Sequence, residues 1–202
     1  MIIDCIGDRA KKLPTKIFHY SKDKIKSLKK DFNASINDEY SVKPCGLWVS
    51  IEDDDEDISW FEWCKNEEFR LENLKYKYTV NISSKANILH LKTPEEIDEF
   101  TNNYVLEDFF NTTLLNSLYI NWKKVKEEYD GIIISPYQWG CRFRLNTTWY
   151  YPWDCSSGCI WNTDKISIKL HSTIDVESIR PKECLEVETS TDSLLASLVL
   201  SP

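Results

Sequence analysis

Three segments of the chain carry side chains able to hold a small polar molecule or act on it. The first is Ile17-Phe-His-Tyr20, where His19 offers an imidazole that titrates near neutral pH and can give or take a hydrogen bond. The second is Gly46-Leu-Trp-Val-Ser50, with Trp60 and Trp63 shortly after it. Indole faces can wall in a planar ring, Tyr20 can add to those walls, and the Ser50 hydroxyl can both donate and accept. The third is the stretch 149–161, Trp-Tyr-Tyr-Pro-Trp-Asp-Cys-Ser-Ser-Gly-Cys-Ile-Trp, in which Asp154 is the only carboxylate. A carboxylate beside aromatic walls suits a reaction that builds positive charge on its substrate. Each residue also has a plain structural role open to it. His19 could be a core histidine satisfied by a backbone group, the tryptophans could be core, and Asp154 could be a turn or cap aspartate.

Several other chemistries find no support. The chain has no Gly-rich phosphate loop, no Gly-x-Ser-x-Gly elbow, no His-Glu-x-x-His and no kinase signature set. Cys155 and Cys159 with Cys141 and His171 match no common zinc spacing, so no metal is expected. A thiol nucleophile at Cys155 or Cys159, paired in space with His19 or His171, lacks a basic neighbour in sequence to lower its pKa. The acidic run 52–57 reads as a solvated loop without the spacing of a calcium site.

The elements that must position these residues follow from periodicity and caps. A strand at 16–20 runs into a lysine-rich helix at 21–30, and a second strand spans 43–51 before a helix at 58–69. Strands are expected at 75–82 and 87–91, as a hairpin or in separate sheets. Thr93-Pro-Glu-Glu96 opens a helix through Ile97, Phe100 and Tyr104, and another helix covers 118–129. The apolar run 132–137 reads as a central strand buried on both faces, and 166–170 alternates as a further strand. Helices and strands are interspersed without regular alternation, which points to an α+β fold.

At 202 residues and 42% hydrophobic, the chain is long enough for one core, placed at 1–188, with a Ser/Thr-rich and loosely ordered tail at 189–202. The high aromatic share, 8 Trp and 10 Tyr against 5 Gly, predicts an aromatic-rich core and cleft. A formal charge of -8 disfavours a nucleic-acid or anionic-membrane surface. No run approaches the roughly 18 apolar residues of a membrane span. An odd count of seven scattered cysteines reads as reduced thiols, so a cytoplasmic location is expected.

Taken in order, these segments resemble the ADP-ribosyltransferase fold, in the branch of the poly-ADP-ribose polymerase catalytic domains and diphtheria-type toxins. The likeness covers residues 15–170 and lies in motif order. It implies two small mixed sheets forming a split β core with flanking helices, and NAD bound in the cleft between them as substrate. His19 would hold the adenosine ribose and serve catalysis. Tyr20 stands where many relatives have a glycine whose backbone meets the nicotinamide amide. Gly46, Trp48, Ser50 and Trp63 would hold nicotinamide. No Glu lies in 149–161, where the family carries its acidic residue, so Asp154 would act on the reacting ribose. The implied activity is mono-ADP-ribosyl transfer to a macromolecular acceptor, protein rather than nucleic acid, with release of nicotinamide and no membrane partner. A catalytically inactive nucleotide- or peptide-binding module on the same scaffold is the alternative. RNA 2′-phosphotransferase chemistry, with Arg142 and Arg144 on a phosphate, is a third reading.

Overall fold

A computed structural model describes residues 13–30, 41–53, 57–106 and 119–181. The fold is α+β, built on one seven-stranded mixed sheet. Its strands are β1 (Ile17–Ser21), β2 (Leu47–Ile51), β3 (Tyr76–Ile82), β4 (Ile88–Leu91), β5 (Gly131–Ile134), β6 (Ser157–Ile160) and β7 (Ile166–Thr173). They lie in the order β4-β5-β6-β2-β1-β3-β7, with only β4 and β5 parallel. The expectation of two small sheets is thus corrected to one. The halves β4-β5-β6-β2 and β1-β3-β7 are joined by a short β1–β2 ladder, Ile17↔Ile51 and Phe18↔Ser50. Nor are β3 and β4 a hairpin, for β3 sits between β1 and β7 while β4 forms the far edge.

The inner strands explain why the sheet closes. Isoleucines fill β5, where every residue is buried, as β-branched side chains do in a strand covered on both faces. β6 is built of small residues, Ser-Gly-Cys-Ile, also all buried. A Cβ on Gly158 would lie 2.6 Å from the Ile132 carbonyl oxygen and 2.8 Å from Ile133 Cγ1, so only glycine lets β5 and β6 approach. On one face Trp122, Trp149, Trp153 and Trp161 are fully buried among Ile97, Phe100, Ile132 and Ile134. The other face buries Ile17, Val49, Ile51, Val80, Ile133 and Ile160.

Helix α1 (Trp60–Asn66) opens on a capping box, in which Ser59 accepts from the Glu62 N–H and the Glu62 carboxylate accepts from the Ser59 N–H. α2 (Pro94–Tyr104) carries the expected Thr93 cap and Pro94 at its first position. α3 (Trp122–Glu128) is capped by Asn121, and a short α4 spans Val176–Ile179.

Two helix expectations are corrected. Residues 21–30 form no helix, because Ile25 and Leu28 are their only apolar side chains among five lysines, too little for a buried stripe. Instead the Ile25 N–H donates to Tyr78 Oη at 2.9 Å, and Ile25 and Leu28 border a groove against Ile168 and Leu170. The helix expected over 58–69 stops at Asn66, since Glu68 (φ 52°) and Arg70 (φ 47°) are left-handed and turn the chain into a 3-10 turn at Leu71–Leu74. Of the segment 149–161, the first part completes a 3-10 turn at Leu145–Tyr150, and only Ser157–Ile160 is strand. The tail at 189–202 lies outside the described residues.

Gly158→Ala should destabilise the protein by about 1–3 kcal/mol through overpacking, read as a lower urea midpoint. Gly140→Ala, whose Cβ would meet nothing within 4 Å, should leave that midpoint unchanged.

Candidate functional site

Beyond Phe18 and Ser50 the strands β1 and β2 part. β1 stays paired with β3 as far as Ser21↔Tyr76, and β2 stays paired with β6 as far as Leu47↔Ile160. The parting opens a cleft of about 410 Å³. His19 and Tyr20 line it from β1, Trp48 and Ser50 from β2, and Asp154 from the segment before β6. Adjacent residues of one strand point to opposite sheet faces, so both alternations reach this space because it lies between strands rather than on a face.

His19 marks the point of separation. The Glu52 N–H donates to the Lys16 carbonyl at 2.9 Å, and the next but one pair is Phe18↔Ser50, so a continued ladder would bring the Tyr20 N–H onto the Trp48 carbonyl. That carbonyl instead accepts from the His19 side chain, Nδ1 to O 2.7 Å. A carbonyl can only accept, so Nδ1 carries the proton and the neutral ring keeps a lone pair on Nε2. Burial holds the His19 pKa below its ordinary 6.5, against the opposing pull of the Trp48 carbonyl. The side chain is therefore a neutral hydrogen-bond acceptor at the cleft wall.

Ser50 is occupied by the fold. Its hydroxyl accepts from the Trp60 N–H at 3.1 Å and sits 3.2 Å from Glu52 Oε1, to which it donates. Glu52 also accepts from Tyr20 Oη at 2.7 Å and pairs with Lys77 at 2.6 Å. Burial first, and Glu52 second, push the Tyr20 pKa well above the ordinary phenol value, so Tyr20 stays a protonated donor. In sequence this carboxylate is masked by the acidic run 52–57, which it opens. The signal was the period of two that puts Trp48, Ser50 and Glu52 on one side of β2.

Asp154 pairs with Arg142, Oδ1 to Nη2 2.9 Å, both side chains four-fifths buried. Oδ2 has no hydrogen bond among the described residues. The Lys43 ammonium lies 4.9 Å from the centroid of the Trp48 ring. Burial lowers its pKa and Asp154 raises it. Arg70 and Asn73 complete this wall from the 3-10 turn.

Other expected residues sit elsewhere. Gly46 packs β2 against β6, where a Cβ would lie 2.6 Å from Cys159 Sγ, and it does not line the cleft. Trp63 stacks on Trp60 at 5.2 Å, leaving Trp60 and Trp48 as the indoles of the cleft. Trp48 in turn packs on the buried Trp153 at 4.9 Å. Arg144 pairs with Asp98 of α2, away from Arg142. His171, on the edge strand β7, contacts Phe18 and Thr79. Cys155 does line the cleft, but burial pushes its thiol up to about 12, which leaves almost no thiolate at neutral pH. Among the described residues no group of three His, Cys, Asp or Glu is placed to hold a metal ion.

Set against protein-family models, curated proteins and solved structures, the chain matches none.

The His19 environment has a pH consequence with a definite sign. The unfolded ring takes a proton near 6.5 and the folded ring resists it, so protonation favours unfolding and stability falls as pH drops below 6.5. His19→Asn keeps a donor at the place of Nδ1 and cannot titrate. Its Tm should fall less than that of the wild type between pH 7 and 5.5, and the difference isolates His19 from His90 and His171.

Proposed function

We propose that this protein is an NAD-dependent mono-ADP-ribosyltransferase of ADP-ribosyltransferase-like fold, which moves ADP-ribose from NAD to a macromolecular acceptor and releases nicotinamide. The observation that carries the reading is the cleft at the β1–β2 split, where one space joins a fixed histidine acceptor, indole walls and a carboxylate. His19 Nε2 accepts from a hydroxyl of the adenosine ribose. Trp48 and Trp60 flank the nicotinamide ring. When the bond between nicotinamide and ribose breaks, its electron pair leaves with the nicotinamide nitrogen and positive charge grows on the ribose. Asp154 Oδ2 faces that charge, held by the Arg142 pair on Oδ1. A nucleophile of the acceptor then bonds to the ribose carbon and gives up its proton to solvent.

The acceptor is a protein side chain rather than a nucleic acid, in keeping with the net charge of -8. The cytoplasm suits the chain, since its five described cysteines are all free. No helix among the described residues is long and apolar enough to cross a membrane.

A second reading, a catalytically inactive nucleotide- or peptide-binding module, is favoured by one observation. The carboxylate of the cleft is already neutralised by Arg142 at 2.9 Å.

Purified protein with labelled NAD separates the two. The transferase should release nicotinamide, with loss of 100-fold or more in Asp154→Ala, consistent with removal of a charge-stabilising group worth about 10²–10³ in rate. His19→Ala should lose NAD affinity. Binding without turnover, unchanged in Asp154→Ala, selects the inactive module, and absence of NAD binding overturns both nucleotide readings.

A further inference from the structure

We infer that Lys43 and Arg70 form a clamp for a diphosphate, so that the ligand of the β1–β2 cleft is a nucleoside diphosphate ester and not a neutral nucleoside or a peptide. The inference rests on the reading of this cleft as a nucleotide site and deepens it.

The charges of the cleft carry the argument. The chain as a whole bears -8, yet the ionised groups lining this cleft are Lys43, Arg70 and Asp154. The charge of Asp154 is matched by Arg142 just behind it. Two cations are left over. Neither has an ion-pair partner among the described residues. A positive recess on an acidic protein concentrates the local field and selects an anion of matching charge.

Each cation also carries a local cost, desolvation at Lys43 and backbone strain at Arg70. The Lys43 ammonium is largely withdrawn from water and rests on the face of Trp48, where burial works against its charge. Arg70 adopts φ 47° and ψ 45°. That left-handed conformation costs a residue with a Cβ roughly 1–2 kcal/mol, and a glycine would hold it freely. The exposed guanidinium has its carbon 5.1 Å from the Phe69 ring centroid, and its five N–H donors have no carboxylate partner among the described residues. A forked guanidinium and a compact ammonium are the two side chains suited to phosphate oxygens, and Asn73 adds an amide on the same wall. With His19 for a ribose hydroxyl and Trp48 and Trp60 for a planar ring, the cleft offers one feature for each part of a nucleotide.

The test is calorimetric titration of the full chain with ADP, adenosine and inorganic pyrophosphate, for the wild type, Lys43→Gln and Arg70→Gln. ADP should bind at least tenfold tighter than adenosine, and pyrophosphate should compete with it. Each variant should lose about tenfold or more in ADP affinity, the scale of one charge-assisted hydrogen bond, with adenosine unchanged. Arg70→Gly removes the cation while relieving the backbone, so it should match or exceed the wild-type Tm and still lose ADP. Equal affinities for ADP and adenosine, no binding of either ADP or pyrophosphate, or an ADP affinity unchanged in either glutamine variant overturns the clamp. Nicotinamide release separates this failure from that of the transferase reading. A confirmed clamp without release leaves the clamp and removes the transferase. Release that is undiminished in both variants at subsaturating NAD keeps the transferase and removes the clamp.

Discussion

A single hydrogen bond sits where the sheet of this protein opens. The Trp48 carbonyl could have continued the β1–β2 ladder, and instead it receives the proton on His19 Nδ1. A strand pair that stops after Phe18↔Ser50 leaves the sheet continuous yet opens it on one side. The bond also fixes the tautomer of the imidazole, so one contact occupies the carbonyl that a continued ladder would use and leaves the lone pair on Nε2. Burial without a charged partner keeps the ring neutral, which an acceptor requires.

The surroundings hold that opening in place from two sides. Behind β2, the small residues of β6 and the absence of a Cβ at Gly46 and Gly158 allow close strand packing, while Trp153 supports Trp48 from below. Beside β1, the Ser50 hydroxyl anchors the first turn of α1 through the Trp60 N–H, and Glu52 ties Tyr20 to Lys77. Asp57 joins the two sides, since its carboxylate accepts from the Tyr137 N–H and from the Ser156 hydroxyl. Polar groups thus position the walls, and the walls themselves are aromatic.

What was legible in the sequence was local. β-Branched and aromatic runs located the strands, the unbroken isoleucines of β5 announced a buried centre, and Thr93-Pro94 announced a helix start. The order of segments groups His19, Tyr20, Gly46, Trp48, Ser50, Trp63 and Asp154, of which all but Gly46 and Trp63 line one cleft. Long-range facts were not legible. Nothing local says that β3 lies beside β1 or that β4 takes the far edge. The end of α1 was hidden because the left-handed residues there are Glu68 and Arg70, where a glycine would have signalled the turn. Residues 21–30 carry cap and lysine signals of a helix but lack the apolar stripe that would hold one. In sequence Asp154 is the lone carboxylate of its segment, and its pairing with Arg142 follows only from the folded chain.

The parting of β1 and β2 leaves main-chain amide and carbonyl groups along the two facing edges past Phe18 and Ser50. Recognition that draws on such groups is encoded in the path of the chain, so a point substitution reaches it only by changing that path, as one at His19 would. Divergent sequences could replace the lining side chains other than His19 and still present the same polar edges. In this architecture, drift at the level of residues and constancy at the level of binding are compatible.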